Sequence, residues 1–226
     1  MDKIIIFGVG KISEVISYYA TEVCGLNVEA YTVDSSHMNK KKFLDKPVIS
    51  FKSVEKKYPP NLYKMFIAIG YHDLNKLRQQ KLNEAEQKGY EIISIIAELN
   101  NLPKNVTYGK NCFIMPLSLI QPCVKLEDNV FVFSGALIGH HSHIEKNCWI
   151  TSNASIGGNV KIGKNTFLAM DSIITHSVSI GDNCFIGSNT QILKNLDNNK
   201  VVISEGSKPI KLSSDQFLKF SNFSSI

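Results

Sequence analysis

The sequence lacks the features that mark several large classes of protein. No apolar run approaches the roughly 18 residues of a membrane-spanning helix, and the run at residues 4–7 is too short for a signal peptide. The five cysteines form no CxxC pair, so we expect them to be reduced. With 43% hydrophobic and 20% charged residues, the composition is typical of a soluble chain that builds a core. We therefore expect a cytoplasmic protein.

A strong charge bias is missing as well. The chain has 25 Lys and Arg residues against 20 Asp and Glu residues, a net charge of +5. Its lysines are scattered and do not alternate with aromatic residues, which argues against nucleic-acid binding. A few lysines that bind a phosphorylated ligand are the better interpretation of the positive charge.

What the sequence does contain is an unbroken six-residue period. From residue 102 to residue 192 every sixth residue is aliphatic or tyrosine, and a small or medium residue follows four positions later. Cys112, Cys148 and Cys184 share that second phase, which predicts buried thiols. The position three after the aliphatic residue is mostly Asn, which tolerates left-handed backbone angles, so each repeat predicts a tight corner. Three sides per coil predict a solenoid of parallel strands with eighteen residues per turn.

The regions on either side of this repeat predict two further units. Strands at 3–7 and 28–33, a helix at 12–23, a strand at 66–70, a polar helix near 74–88 and a closing strand at 91–96 indicate a small parallel α/β sheet. We therefore predict a Rossmann-like α/β domain at 1–101, a solenoid of about five coils at 102–194 and a C-terminal tail at 195–226. The first domain is expected to cap the start of the solenoid. The tail contains a predicted helix that begins near Ser213, and we expect it to cap the other end of the solenoid or to contact a neighbouring subunit.

The turn after the first predicted strand is glycine-rich. Gly8, Gly10 and Lys11 lead into the first helix, whose N-terminal amides can hold a phosphate. Ser13 replaces the third glycine of the dinucleotide fingerprint, which argues against a full nicotinamide site. Asp34, at the end of the second strand, is placed to accept hydrogen bonds from ribose hydroxyls or a base edge. The two features together predict a nucleotide pocket, although a turn without a ligand also explains the glycines.

Three of the six histidines fall within four residues of the repeat. His140 and His141 lie at a predicted outward corner, while His143 lies on the following flat side. Residues eighteen apart stack between coils, which places Gly158 one coil from His140 and His176 two coils away, at about 10 Å. An outward histidine can act as a general base, and the backbone amide near Gly158 can receive a developing oxyanion.

The hexads at residues 156–166 resemble those of the hexapeptide-repeat acyltransferases, a resemblance that implies a triangular, left-handed parallel β-helix. With the Gly8-Val9-Gly10 α/β domain, the chain looks like the bacterial nucleotide-amino-sugar N-acetyltransferases of the bacillosamine and perosamine type and the related sialic-acid O-acetyltransferases. The resemblance implies an acetyl-CoA-dependent transfer to a nucleotide-linked sugar for surface glycans such as lipopolysaccharide. It also implies a homotrimer with active sites between subunits and no metal.

The same resemblance assigns roles to individual residues. It implies that His140 is the base, with His141 sharing or taking that role, because His141 stands where some relatives carry an orienting acid. It implies an acetyl-CoA site formed by Gly158, Asn159, Lys161, Lys164 and His176. It also implies a nucleotide-sugar site formed by Gly8, Gly10, Lys11 and Asp34.

Three alternatives remain open at this point. Because His141 stands where some relatives carry an acidic residue, the acetyl group could also be transferred to a hydroxyl instead of an amine. A zinc hydratase resembling the γ-class carbonic anhydrases would use His140 and His176, but its third histidine position holds Gly181. The solenoid can also serve as a scaffold without catalytic activity.

Overall fold

The computed structural model describes residues 2–97 and 102–220. Within these ranges an α/β domain is followed by a three-sided parallel β-helix, here called the prism, and by a C-terminal tail. Every coil of the prism contributes one short strand to each of three parallel sheets.

The α/β domain has a five-stranded sheet. Its strands are β1 (Lys3–Phe7), β2 (Asn27–Val33), β3 (Lys42–Phe43), β4 (Lys46–Ser50) and β5 (Lys64–Ile67), in the order β3-β4-β2-β1-β5. Only the β3–β4 pair is antiparallel. Apart from the β3 edge, the strands have the order of one half of a doubly wound sheet.

Three α-helices and several short helical turns connect these strands. They are α1 (Lys11–Tyr18), which continues as a π-helical turn (Tyr19–Val23), α2 (Val54–Lys57), α3 (Lys76–Gln87) and 3₁₀ turns at Ser35–His37 and Phe51–Ser53. The first two predicted strands and both predicted helices are confirmed. The strand predicted at 66–70 lies instead at β5, and β3 and β4 were not predicted.

The predicted closing strand at 91–96 is wrong. Ile92 forms only an isolated bridge to Met65 of the domain sheet, and Ile95–Ile96 pairs with Phe113–Ile114 of the prism. The six apolar-rich residues are therefore divided between two sheets, because each part hydrogen-bonds to a different neighbour.

The prism has five coils, as the period predicts. The strands of its three sheets are, first, Thr107–Tyr108, Lys125–Leu126, His143–Ile144, Lys161–Ile162 and Ser179–Ile180; second, Phe113–Ile114, Phe131–Val132, Trp149–Ile150, Phe167–Leu168 and Phe185–Ile186; third, Leu119–Ile120, Leu137–Ile138, Ser155–Ile156, Ile173–Ile174 and Gln191–Ile192. At residues 111 to 189 the fourth position of each hexad has φ between 53° and 77°, so the left-handed corners are confirmed. The arrangement fits a left-handed parallel β-helix.

The three outer faces of the prism differ in character. Apart from the exposed Tyr108, the second residue of each strand in the three sheets points into the core with the predicted cysteines, and burial raises the pKa of Cys112 to about 11 and of Cys148 to about 12. The first residues form a charged face (Thr107, Lys125, His143, Lys161, Ser179), an aromatic face (Phe113, Phe131, Trp149, Phe167, Phe185) and an aliphatic face (Leu119, Leu137, Ser155, Ile173, Gln191).

The α/β domain packs along the aromatic face. The ring of Phe66 stacks on Phe131 at 5.8 Å between centroids, and Tyr71 contacts the rings of Trp149 and Phe167 at 5.6 and 4.9 Å. The expectation that residues 1–101 cap the start of the prism is therefore wrong for most of the domain. Five outward aromatic side chains in one row expose too much apolar surface to face water, and the domain covers them.

Short strands cover both ends of the prism. Ile95–Ile96 extends the aromatic sheet at its start, and Val201–Val202 pairs with Phe185–Ile186 at its end. The tail helix α4 (Ser214–Phe220) forms near the predicted position, and the Ser213 hydroxyl accepts a hydrogen bond from the Gln216 amide. No residue of α4 is buried, so this helix does not cover this chain's own prism. Within the described ranges, no helix has the length and apolarity required to cross a membrane.

Candidate active site

The histidine corner lies between the charged and aliphatic faces, opposite the aromatic face. His140 and His141 are both exposed, and their Nδ1 atoms are 3.1 Å apart. His141 occupies the left-handed corner position with φ 60°, and the Gln121 side-chain oxygen accepts a hydrogen bond from the His140 amide. The corner thus orients two neighbouring imidazoles toward each other, as an edge-to-face pair with centroids 5.3 Å apart.

Gly158 and His176 complete this corner on the next two coils. A Cβ atom added to Gly158 would lie 2.8 Å from both Cε1 and Nε2 of His140, so the imidazole occupies the space that the glycine leaves. The ring centroids of His140 and His176 are 6.2 Å apart, closer than the backbone spacing of about 10 Å that two coils predict. The two side chains lean toward each other across Gly158, whereas the prediction counted only the backbone spacing of two coils.

The neighbouring charged face carries two acid–base contacts. Nε2 of His143 lies 2.9 Å from Oε1 of Glu127, and Lys161 forms a 2.9 Å ion pair with Glu145, a hydrogen bond that raises the pKa of the lysine. Lys164 lies at the next corner, between the charged and aromatic faces, where its amide donates to Asp182. The structure therefore brings Lys161 to a face next to the histidine corner, but it does not bring Lys164 there.

A shallow groove of about 590 Å³ runs over the last coils of the charged face. Lys161, Ser179, Asp182 and Lys200 line it together with backbone from residues 195–198. Lys200 was not predicted as a site residue, because it lies after the repeat and reaches the groove only through the capping segment. Asn159 lies next to Gly158 on the histidine corner and donates a hydrogen bond to Ser177.

A second cavity, of about 370 Å³, lies at the carboxyl ends of β1, β2 and β5. It brings together the four residues that the sequence predicts for a nucleotide pocket, Gly8, Gly10, Lys11 and Asp34. A side chain at Gly8 would meet the Ala68 carbonyl oxygen and the Ser13 hydroxyl at 2.5 Å, which is why only glycine fits at this crossing. The helix α1 begins directly after Gly10, so amides of its first turn lie at the cavity.

Lysine 81 completes the cavity, and sequence reasoning missed it. Its ammonium group donates to Asp34 at 2.9 Å and to Glu84 at 2.8 Å. Burial lowers the pKa of Lys81, but hydrogen bonds to the two carboxylates outweigh it and leave the pKa raised. His37 and His72 also line the cavity. No local pattern points to Lys81, because it lies 47 residues from Asp34 on a helix that only the fold brings across the sheet.

Among the residues that the structure describes, no three His, Cys, Asp or Glu side chains are arranged to hold a metal ion. His140 and His176 face each other at the corner, but the third position of the zinc alternative is Gly181, whose added Cβ would meet Asn198 at 2.4 to 2.5 Å. His140 and His176 by themselves would give a metal two imidazoles, one fewer than the three protein ligands of catalytic zinc sites.

The fold and these sites define a hexapeptide-repeat β-helix joined to an α/β domain with its own cavity. The sequence profile of the bacterial transferase hexapeptide (six repeats) matches residues 141–175 and 159–194. A comparison with curated proteins finds no significant match. The profile match confirms that the repeats predicted from the six-residue period are those of bacterial transferases.

Solved structures share the fold over nearly the whole chain. Perosamine N-acetyltransferase from Caulobacter crescentus, a histidine-to-asparagine variant in complex with CoA and GDP-perosamine, is 20% identical, with a TM-score of 0.82 over 92% of this chain and 98% of that chain. The acetyltransferase domain of PglB from Neisseria gonorrhoeae, in complex with acetyl coenzyme A, is 19% identical, with a TM-score of 0.80 over 92% and 98%. WeeI from Acinetobacter baumannii is 16% identical, with a TM-score of 0.75 over 90% and 97%. The resemblance stated from the sequence is confirmed at the level of the fold.

Proposed function

We propose that this protein is an acetyltransferase that moves the acetyl group of acetyl-CoA to the amine of a nucleotide-linked amino sugar, for surface glycan synthesis in the cytoplasm. The observation that carries the proposal is that this chain has two separate candidate sites on a fold that it shares with the solved acetyltransferase structures. One is the exposed histidine corner at His140, and the other is the cavity at Gly10 and Asp34. Two of the similar structures bind CoA or acetyl coenzyme A, and one of them also binds GDP-perosamine.

The position of the two sites supports an active site shared between copies of the chain. The α/β domain covers the aromatic face, and the histidine corner is the corner opposite that face. A nucleotide sugar in the cavity of one copy therefore lies on the far side of its own prism from His140. A neighbouring copy that places its own histidine corner beside the cavity removes this separation.

The surface of the prism supports a trimer built in this way. The aliphatic face and its adjoining corners expose Leu117, Leu119, Met170, Ile173 and Leu193, each by 43% or more of its accessible area. An exposed apolar row of this kind marks a protein–protein contact. The histidine corner borders this face, so a second copy packed on it comes next to His140. A closed ring of three such contacts gives three equivalent sites.

His140 is suited to the role of general base in this reaction. As the sugar amine attacks the thioester carbonyl, its proton passes to Nε2 of His140, and the carbon–sulfur bond then breaks. The imidazolium returns the proton to the departing thiolate, which leaves as the free thiol. The backbone amide of Gly158 is the candidate donor to the oxyanion that forms in between, because the Gly157 amide donates to the Ile174 carbonyl.

The groove on the charged face fits part of an acetyl-CoA molecule. Lys161 and Lys200 supply positive charge for its phosphates, although Lys161 is also paired with Glu145. Acetyl-CoA supplies the activated acyl group when bound. At the other site, the first turn of α1 and Lys11 are placed for the diphosphate of the sugar nucleotide, and Asp34 for its ribose.

The test is an assay of CoA release by the whole protein with acetyl-CoA and a panel of nucleotide-linked amino sugars, using wild type and the His140→Ala variant. We expect turnover with at least one amino sugar and a loss of about 100-fold or more in kcat for the variant. Equal turnover in both proteins would exclude His140 as the base. No acetyl-CoA binding by calorimetry would favour the scaffold alternative instead.

Transfer to oxygen is the second reaction of the same site that the assay must separate. A neutral amine needs only mild base help, whereas a hydroxyl needs stronger activation. The panel therefore includes the matching sugars with a hydroxyl in place of the amine. Faster turnover with these would assign the protein as an O-acetyltransferase.

A further inference from the structure

The two imidazoles of the histidine corner make a contact that restricts where their protons lie. Nδ1 of His140 and Nδ1 of His141 are 3.1 Å apart. Two ring nitrogens form a hydrogen bond only if one carries a proton and the other a lone pair. When both rings are neutral, the pair therefore has opposite tautomers, and the contact fixes the second nitrogen of each ring as well.

We propose that His141 is a neutral positioning residue, whose Nδ1 accepts a hydrogen bond from the protonated Nδ1 of His140 and leaves the lone pair of His140 on Nε2. This inference rests on the proposed function, in which Nε2 of His140 receives the proton of the acceptor. It gives His141 a different role from a second base, since the residue acts through His140 and not on the substrate.

Three further contacts fix where the Nε2 edge of the His140 ring lies. The Gln121 side chain accepts from the His140 amide, which fixes the backbone from which the His140 ring projects. The Nε2 edge of that ring lies over Gly158, where the neighbouring coil offers no side chain to cover it. On that side the ring faces His176, so Nε2 points along the corner on which we place the reaction.

The surrounding charges explain why a histidine has to act as the partner. Among residues 2–97 and 102–220, no carboxylate forms an ion pair or hydrogen bond with His140 or His141. Glu127 is engaged with His143, and Glu145 with Lys161, both on the charged face. A neutral imidazole acceptor fixes the tautomer without adding a negative charge to the corner.

The proton bookkeeping is consistent with a base. When Nε2 of His140 takes up the proton of the acceptor, Nδ1 of that ring keeps its own proton and goes on donating to His141. The hydrogen bond therefore survives the reaction, and the imidazolium that forms is stabilised by an acceptor already in place. In the reverse arrangement Nε2 of His140 would carry a proton and could not accept another.

The backbone at His141 provides a matched pair of variants. Its φ of 60° suits asparagine and glycine, and the equivalent residue one coil later is Asn159 with φ 57°. His141→Asn keeps an oxygen that can accept from Nδ1 of His140, while His141→Gly keeps the backbone and removes the acceptor. Comparing the two separates the hydrogen bond from the fold of the corner.

The first measurement is the tautomer of His140, read from long-range proton–nitrogen NMR correlations of the whole protein at a pH where the ring is neutral. We expect the Nδ1–H form in wild type and in His141→Asn, and a shift toward the Nε2–H form in His141→Gly. His143→Asn, which removes the contact with Glu127, serves as the control and should leave the His140 signals in place. An Nε2–H form of His140 in wild type would overturn the proposal, whether or not a substrate is known.

The second measurement is turnover in the CoA-release assay. We expect His141→Gly to lower kcat by about 10- to 100-fold with little change in KM, and His141→Asn to restore most of it. Equal kcat in wild type and His141→Gly would overturn the positioning role. If no acetyl transfer is found in any variant, the proposed function fails, and the tautomer of His140 still decides the arrangement of the pair.

Discussion

Two adjacent glycines of the histidine corner are constrained by different neighbours. A Cβ atom at Gly158 would meet only the His140 ring, a movable and exposed side chain, whereas at Gly157 it would meet the backbone of His176 at 2.7 Å. The first glycine therefore serves the position of a side chain, and the second serves the stacking of two coils. Sequence reasoning picked out Gly158 for its place above the histidine, but it could not separate the two causes.

We expect the alanine variant of one glycine to lose activity and the alanine variant of the other to lose stability. We expect Gly158→Ala to displace the His140 ring and lower kcat by about 100-fold, with little effect on stability. Gly157→Ala should instead lower the free energy of unfolding by about 1 to 3 kcal/mol, since backbone must shift. Urea unfolding and the CoA-release assay measure both. Full activity in Gly158→Ala would contradict the role given to the corner.

The burial of Arg78 was not predicted from the sequence. It is fully buried between the α/β domain and the prism, where it donates to the side chains of Asn129 and Asn75 and lies 4.1 Å above the Phe131 ring. Burial lowers its pKa to about 9, so the guanidinium is still protonated at pH 7. No pattern in a polar helix distinguishes this arginine from an exposed one.

Removing this side chain should weaken the junction between the two domains. We expect Arg78→Ala to lower the free energy of unfolding by about 3 kcal/mol, because the buried side-chain oxygen of Asn75 loses its Arg78 donor and the side-chain and backbone oxygens of Asn129 lose one each. Arg78→Lys keeps the charge but has no planar fork, so it should recover only part of the loss. Denaturant titrations followed by Trp149 fluorescence measure the effect, and a loss below about 0.5 kcal/mol for Arg78→Ala would show that the network contributes little.

At the scale of the element, one corner of the prism carries a ladder of amides. Asn111, Asn129, Asn147, Asn165 and Asn183 stack between the charged and aromatic faces, each donating from Nδ2 to the Oδ1 of the next, and Asn111 also bonds to the backbone of Ile67 in β5. The Asn preference was predicted from the left-handed angle alone. The second cause of the Asn preference is the ladder of hydrogen bonds, which forms only when the coils are stacked.

Variants of Asn147 should separate these two causes. Asn147→Gly keeps the left-handed backbone and loses the buried amide, which we expect to lower the free energy of unfolding by about 1 to 2 kcal/mol. Asn147→Ala should lose about 1 kcal/mol more, because alanine is strained at φ 64°. Asn159→Gly, at an exposed corner, is the control and should change stability by less than about 0.5 kcal/mol. Equal stability of the two Asn147 variants would mean that the backbone angle contributes nothing.

At the scale of the whole molecule, the two candidate sites lie on opposite sides of the prism. The sequence predicted both, His140 by the phase of the repeat and Gly8, Gly10, Lys11 and Asp34 by the strand–turn–helix pattern. It also predicted an active site between subunits, but only by resemblance. We propose this sharing because the α/β domain docks on the aromatic face, which keeps the cavity of a chain away from its own histidine.

Mixed oligomers test whether the active site is shared. His140→Ala retains the cavity, and the double variant Lys11→Ala, Asp34→Ala retains the histidine corner, so we expect each alone to be inactive. Co-expressed at equal levels and purified through two different tags, they should recover about a third of wild-type activity, because every mixed trimer pairs two intact halves at one of its three sites. Each variant co-expressed with itself is the control. No recovery in mixed trimers would place both halves of the site within one chain.

The sequence by itself determined the prism, because a six-residue period with left-handed corners is a local pattern that only one kind of coil satisfies. It also determined that Cys112, Cys148 and Cys184 are buried, that His140 and His141 face outward, and that Gly8, Gly10 and Asp34 converge at the ends of parallel strands. Tertiary structure alone decided which face the α/β domain covers, that Lys81 pairs with Asp34, and that Arg78 lies buried against the amide ladder. Those contacts join residues about 50 positions apart, and their energies depend on packing that no short stretch of sequence encodes.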